Sequence, residues 1–230
     1  MWSVGPVWPV SPSGFVHLHV ASGYSLQYGA SSPHALVEAA AGQEMDALAL
    51  ADRGGTYGAV KFVKACRRLG ISPILGVDLM VRPQRAGQPA LAATSAPARG
   101  GAFEELTWPR VTLLAHTGGA GGRAGWAAIC RLTSTTHLAG ARGRPVADLE
   151  AMAPWLAGGD VVVLLGPDSE FGRLAARHRT EGGRADEALA ALEPWLRVIP
   201  RENLVVELVS HRVEGTGPGS SAHAAAMARL

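Results

Sequence analysis

At 230 residues, with 47% hydrophobic and 17% charged side chains and a mean hydropathy of +0.12, the chain has the makeup of a globular domain with a sizeable core. A formal net charge of +2 and an isoelectric point of about 8.8 are too slight to mark a nucleic-acid binder on their own. No apolar run approaches the ~20 residues of a membrane span, and two distant cysteines, Cys66 and Cys130, exclude a disulfide framework or zinc ribbon and suit a reduced cytoplasmic compartment.

Residues 1–14, rich in Pro, Gly and Ser, are expected to form an irregular lead-in without a signal-peptide pattern. A strand is predicted over 15–21, "FVHLHVA". Its period of two puts His17, His19 and Ala21 on one face, so that two imidazoles resemble half of a metal site. Ser32 as N-cap and Pro33 at the first helical position start a helix over 33–43. "DALALAD" (46–52) reads as a buried strand ending in a carboxylate, and an amphipathic helix follows over 57–69, stopped by Gly70. The next strand covers 71–81, with Asp78 near its end. This alternation points to parallel β-α-β units in a barrel or doubly wound sheet.

Residues 82–107, rich in Pro, Ala, Gly and Ser, are expected to be a flexible insertion. Beyond it, strands are predicted at 110–116, 160–166 and 204–210, and helices at 123–137, 146–153, 184–196 and 220–230.

Ligand-type residues fall at strand ends: His17 and His19, Asp52, Asp78, and His211 after a late strand. In parallel α/β folds such positions converge on one rim, where imidazoles and carboxylates could hold several metal ions for phosphoester hydrolysis. The same residues equally suit polar capping of turns and helix starts. "GGAGGRAG" (118–125) lacks the Lys-Ser/Thr of a phosphate-binding loop and reads as a strand-to-helix turn. No nucleophile elbow is present.

The stretch from "FVHLHVASGYSLQYGASSPHALVEAAAGQEMDALALADRGG" through "GISPILGVDLMV", continued in order by "RVTLLAH", "DVVVLLGPDSE" and "ENLVVELVSHR", resembles the polymerase-and-histidinol-phosphatase (PHP) domain. Specifically, it is similar to the one that opens bacterial DNA polymerase III alpha subunits of the error-prone actinobacterial type. The resemblance implies an α/β fold, a distorted (β/α)7 TIM-like barrel spanning 15–230, here expected to lack its last β/α unit and final metal-binding motif. It also implies a trinuclear metal cluster in active members, but the ligand pattern is eroded. In the family's H-x-H the first His is His19 and the second is Ala21, while "TDH" reads Ala51-Asp52-Arg53. Gly-x-Glu reads Gly76-Val77-Asp78, a ligand-type His appears as Arg110, and the Cys of "GCL" as Pro167.

An arginine has no lone pair to donate and repels a cation. The resemblance therefore implies a mainly structural PHP portion with no catalytic residue and His19, Asp52, Asp78 and His211 as vestigial metal ligands. No cofactor is expected; any that bound would be a divalent Zn, Mn or Mg ion. The implied partners are downstream polymerase domains or replication and repair polymerase subunits, with DNA met indirectly and no membrane. The alternatives are a stand-alone metal-dependent phosphoesterase or 3′–5′ exonuclease, and a non-functional truncated remnant.

Overall fold

The computed structural model describes residues 14–84, 94–97, 104–116, 122–140, 145–180, 184–212, 214–215 and 219–230. Helix α1 (Pro33–Gly42) begins as its sequence dictates: the Ser32 hydroxyl accepts from the Ala35 amide at 3.2 Å, with Pro33 in the first turn. Strand β1 (Ala47–Arg53) follows, then α2 (Ala59–Leu69), which ends on Gly70 at φ 74°, a left-handed cap that glycine adopts without penalty. Next come β2 (Ser72–Met80), β3 (Thr94–Pro97), β4 (Glu104–Thr107), β5 (Arg110–Ala115), α3 (Arg123–Ala139), α4 (Leu149–Leu156) and β6 (Val161–Leu165). Helices α5 (Glu170–Thr180), α6 (Ala185–Ala190) and α7 (Glu193–Leu196), β7 (Leu204–Val206) and α8 (Ser221–Arg229) complete the chain.

Five strands form one sheet in the order β1-β2-β5-β6-β7, and β3 pairs with β4 in a separate antiparallel ladder. Pairing is parallel for β1/β2 and β6/β7 but antiparallel for β2/β5 and β5/β6. The parallel β-α-β unit expected early in the chain is present as β1-α2-β2, within a sheet that is mixed as a whole. Within the stretch predicted as an insertion, the described residues include the β3/β4 pair; the predicted lead-in lies outside the described residues up to residue 13.

Period-two alternation divides each strand between two layers. On one face Val77, Leu79, Val111, Leu113, Val163 and Leu165 pack with Ile129 and Leu132 of α3, Met152 and Leu156 of α4, and Phe171 and Leu174 of α5. Leu48 and Leu50 of β1 meet Val37 of α1 and Phe62 and Cys66 of α2. The opposite face carries a small apolar floor of Ala49, Leu114 and Leu164.

Three local expectations are overturned. Residues 15–21 form no ladder. The His17 and Val20 carbonyls accept from the Ala49 and Ala51 amides at 3.0 and 2.8 Å, so three residues of one segment span two of the other. The extra residue sits at a bend at Leu18 and breaks the alternation. The helix predicted over 184–196 is two helices, because Pro194 has no amide hydrogen to bond back into α6. The strand predicted over 204–210 stops at Val206. Helix α5 was not anticipated, although Ser169 caps its start by accepting from the Gly172 amide at 3.1 Å and Phe171, Leu174 and Ala175 are buried at helical spacing.

Candidate functional site

The strand register aligns Arg53 with Asp78, Asp78 with Thr112, Thr112 with Leu164, and Leu164 with Val205. This row crosses all five strands, and Arg110 stands two residues from Thr112 on the same face. Above the row lies a cleft of about 660 Å³ walled by residues 15–19 on one side and 205–211 on the other.

Asp78 is buried in this row, one strand in from Arg53. Arg110 Nε donates to both its carboxylate oxygens, at 3.0 and 2.9 Å, and Arg110 Nη2 donates to the Asp78 carbonyl at 3.0 Å. Arg53 Nε lies 3.4 Å from Asp78 Oδ2, its Nη2 lies 3.7 Å from Asp168 Oδ2, and its guanidinium covers the Tyr28 ring at 3.4 Å from the centroid. Burial alone would raise the Asp78 pKa; His19 and Arg110 overcome it and hold the carboxyl below its ordinary value.

His19 bridges the two walls of the cleft. Its Nδ1 meets Glu207 Oε2 at 3.1 Å, and its Nε2 is 3.8 Å from Asp78 Oδ2, an ion-pair separation longer than a hydrogen bond. Burial opposes its charge, but Asp78 and Glu207 together push its pKa up to about 10, so the ring is an imidazolium at neutral pH. His17, in contrast, is exposed and packs edge-on against Phe15 with ring centroids 4.8 Å apart. The expected pair of imidazoles on one strand face therefore does not form.

A pH dependence follows from linkage. His19 holds its proton more tightly in the folded state, so its contribution to stability is complete below its ordinary pKa of 6.5 and is lost as pH rises through about 10. Asp78 contributes above its ordinary 3.8 and loses that contribution as pH falls through its depressed value. Thermal melts taken between pH 6.5 and about 10 should show a falling midpoint, and His19→Gln should flatten that decline. An equal decline in the variant would place its origin elsewhere.

Asp52 faces the other way. Its register partner is Val77, on the helix-facing side of the sheet, whereas its neighbour Arg53 faces the cleft. Its buried carboxylate accepts from the Ser22 amide at 2.7 Å, the Ser22 hydroxyl at 2.9 and 3.0 Å, the Ser25 hydroxyl at 2.9 Å and the Gly58 amide at 3.3 Å. It fastens the loop after residue 21 to the end of β1 and the entrance of α2. The predicted site residues thus divide: His19 and Asp78 come together, His211 lines the same cleft as an exposed side chain, and Asp52 is committed to the loop. Sequence reasoning missed Glu207, whose signal was a single carboxylate inside the apolar run "LVVELV".

The PHP resemblance implies divalent metal ions, and the donor set does not fit them. Asp78 is engaged by two guanidinium groups, Arg110 Nε at 2.9 Å and Arg53 Nε at 3.4 Å, and His19 Nδ1 is engaged by Glu207 at 3.1 Å, so protein cations occupy the space around the carboxylate. Among the described residues no group of three or more His, Cys, Asp or Glu side chains is arranged to hold a metal ion. Nor is any helix among them long and apolar enough to cross a membrane.

The pattern of the PHP domain family matches residues 17–211. The error-prone DNA polymerase of Mycolicibacterium paratuberculosis is 32% identical over 198 residues, which are 86% of this chain and 16% of that polymerase. The DNA polymerase III subunit alpha of Saccharopolyspora erythraea is 28% identical over 212 residues, covering 88% of this chain and 17% of that subunit. The chain spans about a sixth of the length of these curated relatives. Among solved structures, an amidohydrolase from Chromobacterium violaceum with bound sulfate and no metal aligns at a TM-score of 0.48 and 16% identity, covering 86% of this chain and 78% of that one.

Proposed function

The chain belongs to the PHP domain family, and on that premise we propose that it acts as the PHP portion of an error-prone polymerase III alpha-type protein, in a structural rather than a hydrolytic role. The observation that carries this reading is the pair of arginines on Asp78: Arg110 at 2.9 Å and Arg53 at 3.4 Å supply the positive charge that metal ions would otherwise bring. His19, Asp52, Asp78 and His211 are then vestiges of a metal site, with His19 and Asp78 absorbed into an ion cluster and Asp52 into loop anchoring.

The finer architecture we assign is the family's distorted seven-unit β/α barrel, with residues 15–21 lying between β1 and β7. Two backbone hydrogen bonds to β1 and the His19–Glu207 contact beyond β7 support that placement. Partners on this reading are polymerase domains of the same protein or of an associated polymerase, through which DNA is met.

Two assays test the reading on the purified chain. Added Mn²⁺ or Zn²⁺ should leave the melting temperature unchanged, since an ion that bound the native state would raise it. No metal-dependent release of 3′ nucleotides from labelled single-stranded DNA is expected. A metal-dependent nuclease that disappears in Asp78→Ala would overturn the structural role.

A further inference from the structure

The side of the molecule organised by Asp52 exposes two aromatic rings. The loop after residue 21 presents Tyr24, 37% exposed, and the turn into α2 presents Tyr57, 60% exposed. Asp52 joins these two segments, since it accepts hydrogen bonds from Ser22, Ser25 and the Gly58 amide together. Lys61 of α2 reaches back over the Tyr24 ring, its Nζ 5.3 Å from the centroid. Tyr24 thus has a cation on one face, and both Tyr24 and Tyr57 remain open to solvent.

Positive charge continues from the rings along α2. Lys61, Lys64 and Arg68 stand at i, i+3 and i+7, all exposed on one side of a helix that contains no acidic residue. Exposed aromatic rings next to a row of cations form a surface that stacks bases and holds phosphates.

We propose that this surface binds single-stranded nucleic acid directly, with bases stacked on Tyr24 and Tyr57 and the phosphodiester backbone along Lys61, Lys64 and Arg68. Single strands are selected over duplex because only unpaired bases offer both faces to a ring. Asp52 pre-orders the platform, which limits the conformational entropy lost on binding. The proposal stands apart from the structural reading above: it needs no metal, and melting experiments do not test it.

The test is fluorescence anisotropy of the full chain with a labelled oligothymidylate of about 20 nucleotides, long enough for several stacked bases. Binding should weaken as salt rises, and Lys61→Glu with Lys64→Glu should reduce the salt slope by roughly 0.7 per cation removed. Tyr57→Ala should weaken binding by at least about fivefold, while Tyr57→Phe should keep it, because stacking uses the ring and not the hydroxyl. These three positions are exposed, so the melting temperature serves as a check that each variant is folded. No binding at low salt would overturn the proposal. So would duplex binding as tight as single-strand binding with Tyr57→Ala unchanged, or a preference for phosphatidylserine vesicles over the oligonucleotide.

Discussion

Replacing Arg110 by alanine is expected to destabilise the fold by about 3–5 kcal/mol, the range for breaking a buried ion pair by removing one partner. The magnitude follows from what remains. Asp78 is 1% exposed and would keep its charge without its two shortest hydrogen bonds, both from Arg110 Nε, and its carbonyl would lose the Arg110 Nη2 bond. Arg53 does not compensate, because its Nε sits at 3.4 Å and the same side chain is engaged by Tyr28 and Asp168. Urea denaturation of the variant against the parent reads the loss directly. The double variant Arg110→Ala with Asp78→Ala should recover part of it, since the orphaned charge is then gone. If Arg110→Ala left the urea midpoint unchanged, the ion cluster would not be a structural element.

The second large effect is expected at Asp52. Asp52→Ala strands the Ser22 and Ser25 hydroxyls and the Ser22 amide as buried donors, each costing about 1–3 kcal/mol when left without a partner. Ser22 and Ser25 are themselves buried, so water does not readily replace the carboxylate. A loss of at least about 3 kcal/mol in urea denaturation is expected, identical in chelator and in added Mn²⁺. A loss that appears only when metal is present would return Asp52 to the role of a ligand.

How far the sequence discloses this arrangement depends on the range of the interaction. Helix α1 was legible because Ser32 and Pro33 carry its start locally, and β1, α2 and β2 because short apolar runs and helical apolar spacing are local signals. Strand direction has no such signal: "RVTLLA" has the same alternation whether β5 runs with or against its neighbours. The division between Asp52 and Asp78 is a register effect. The two carboxylates look equivalent at their strand ends, yet the ladder sets Arg53, and not Asp52, beside Asp78. The bend at Leu18 moved His17 away from His19 in the same manner, by one inserted residue. The PHP resemblance placed Arg53 and Arg110 at ligand positions; only the geometry shows both guanidinium groups on one carboxylate. Glu207 pairs with His19 across 188 positions, and nothing near either residue announces the other.

We propose that protein cations stand around Asp78 where metal ions would otherwise bind. Elemental analysis of the purified chain, after dialysis against Mn²⁺ and Zn²⁺ and removal of the free ion, should then find metal well below one equivalent in the parent protein. Stoichiometric metal that is lost in Asp78→Ala or His19→Gln would contradict it.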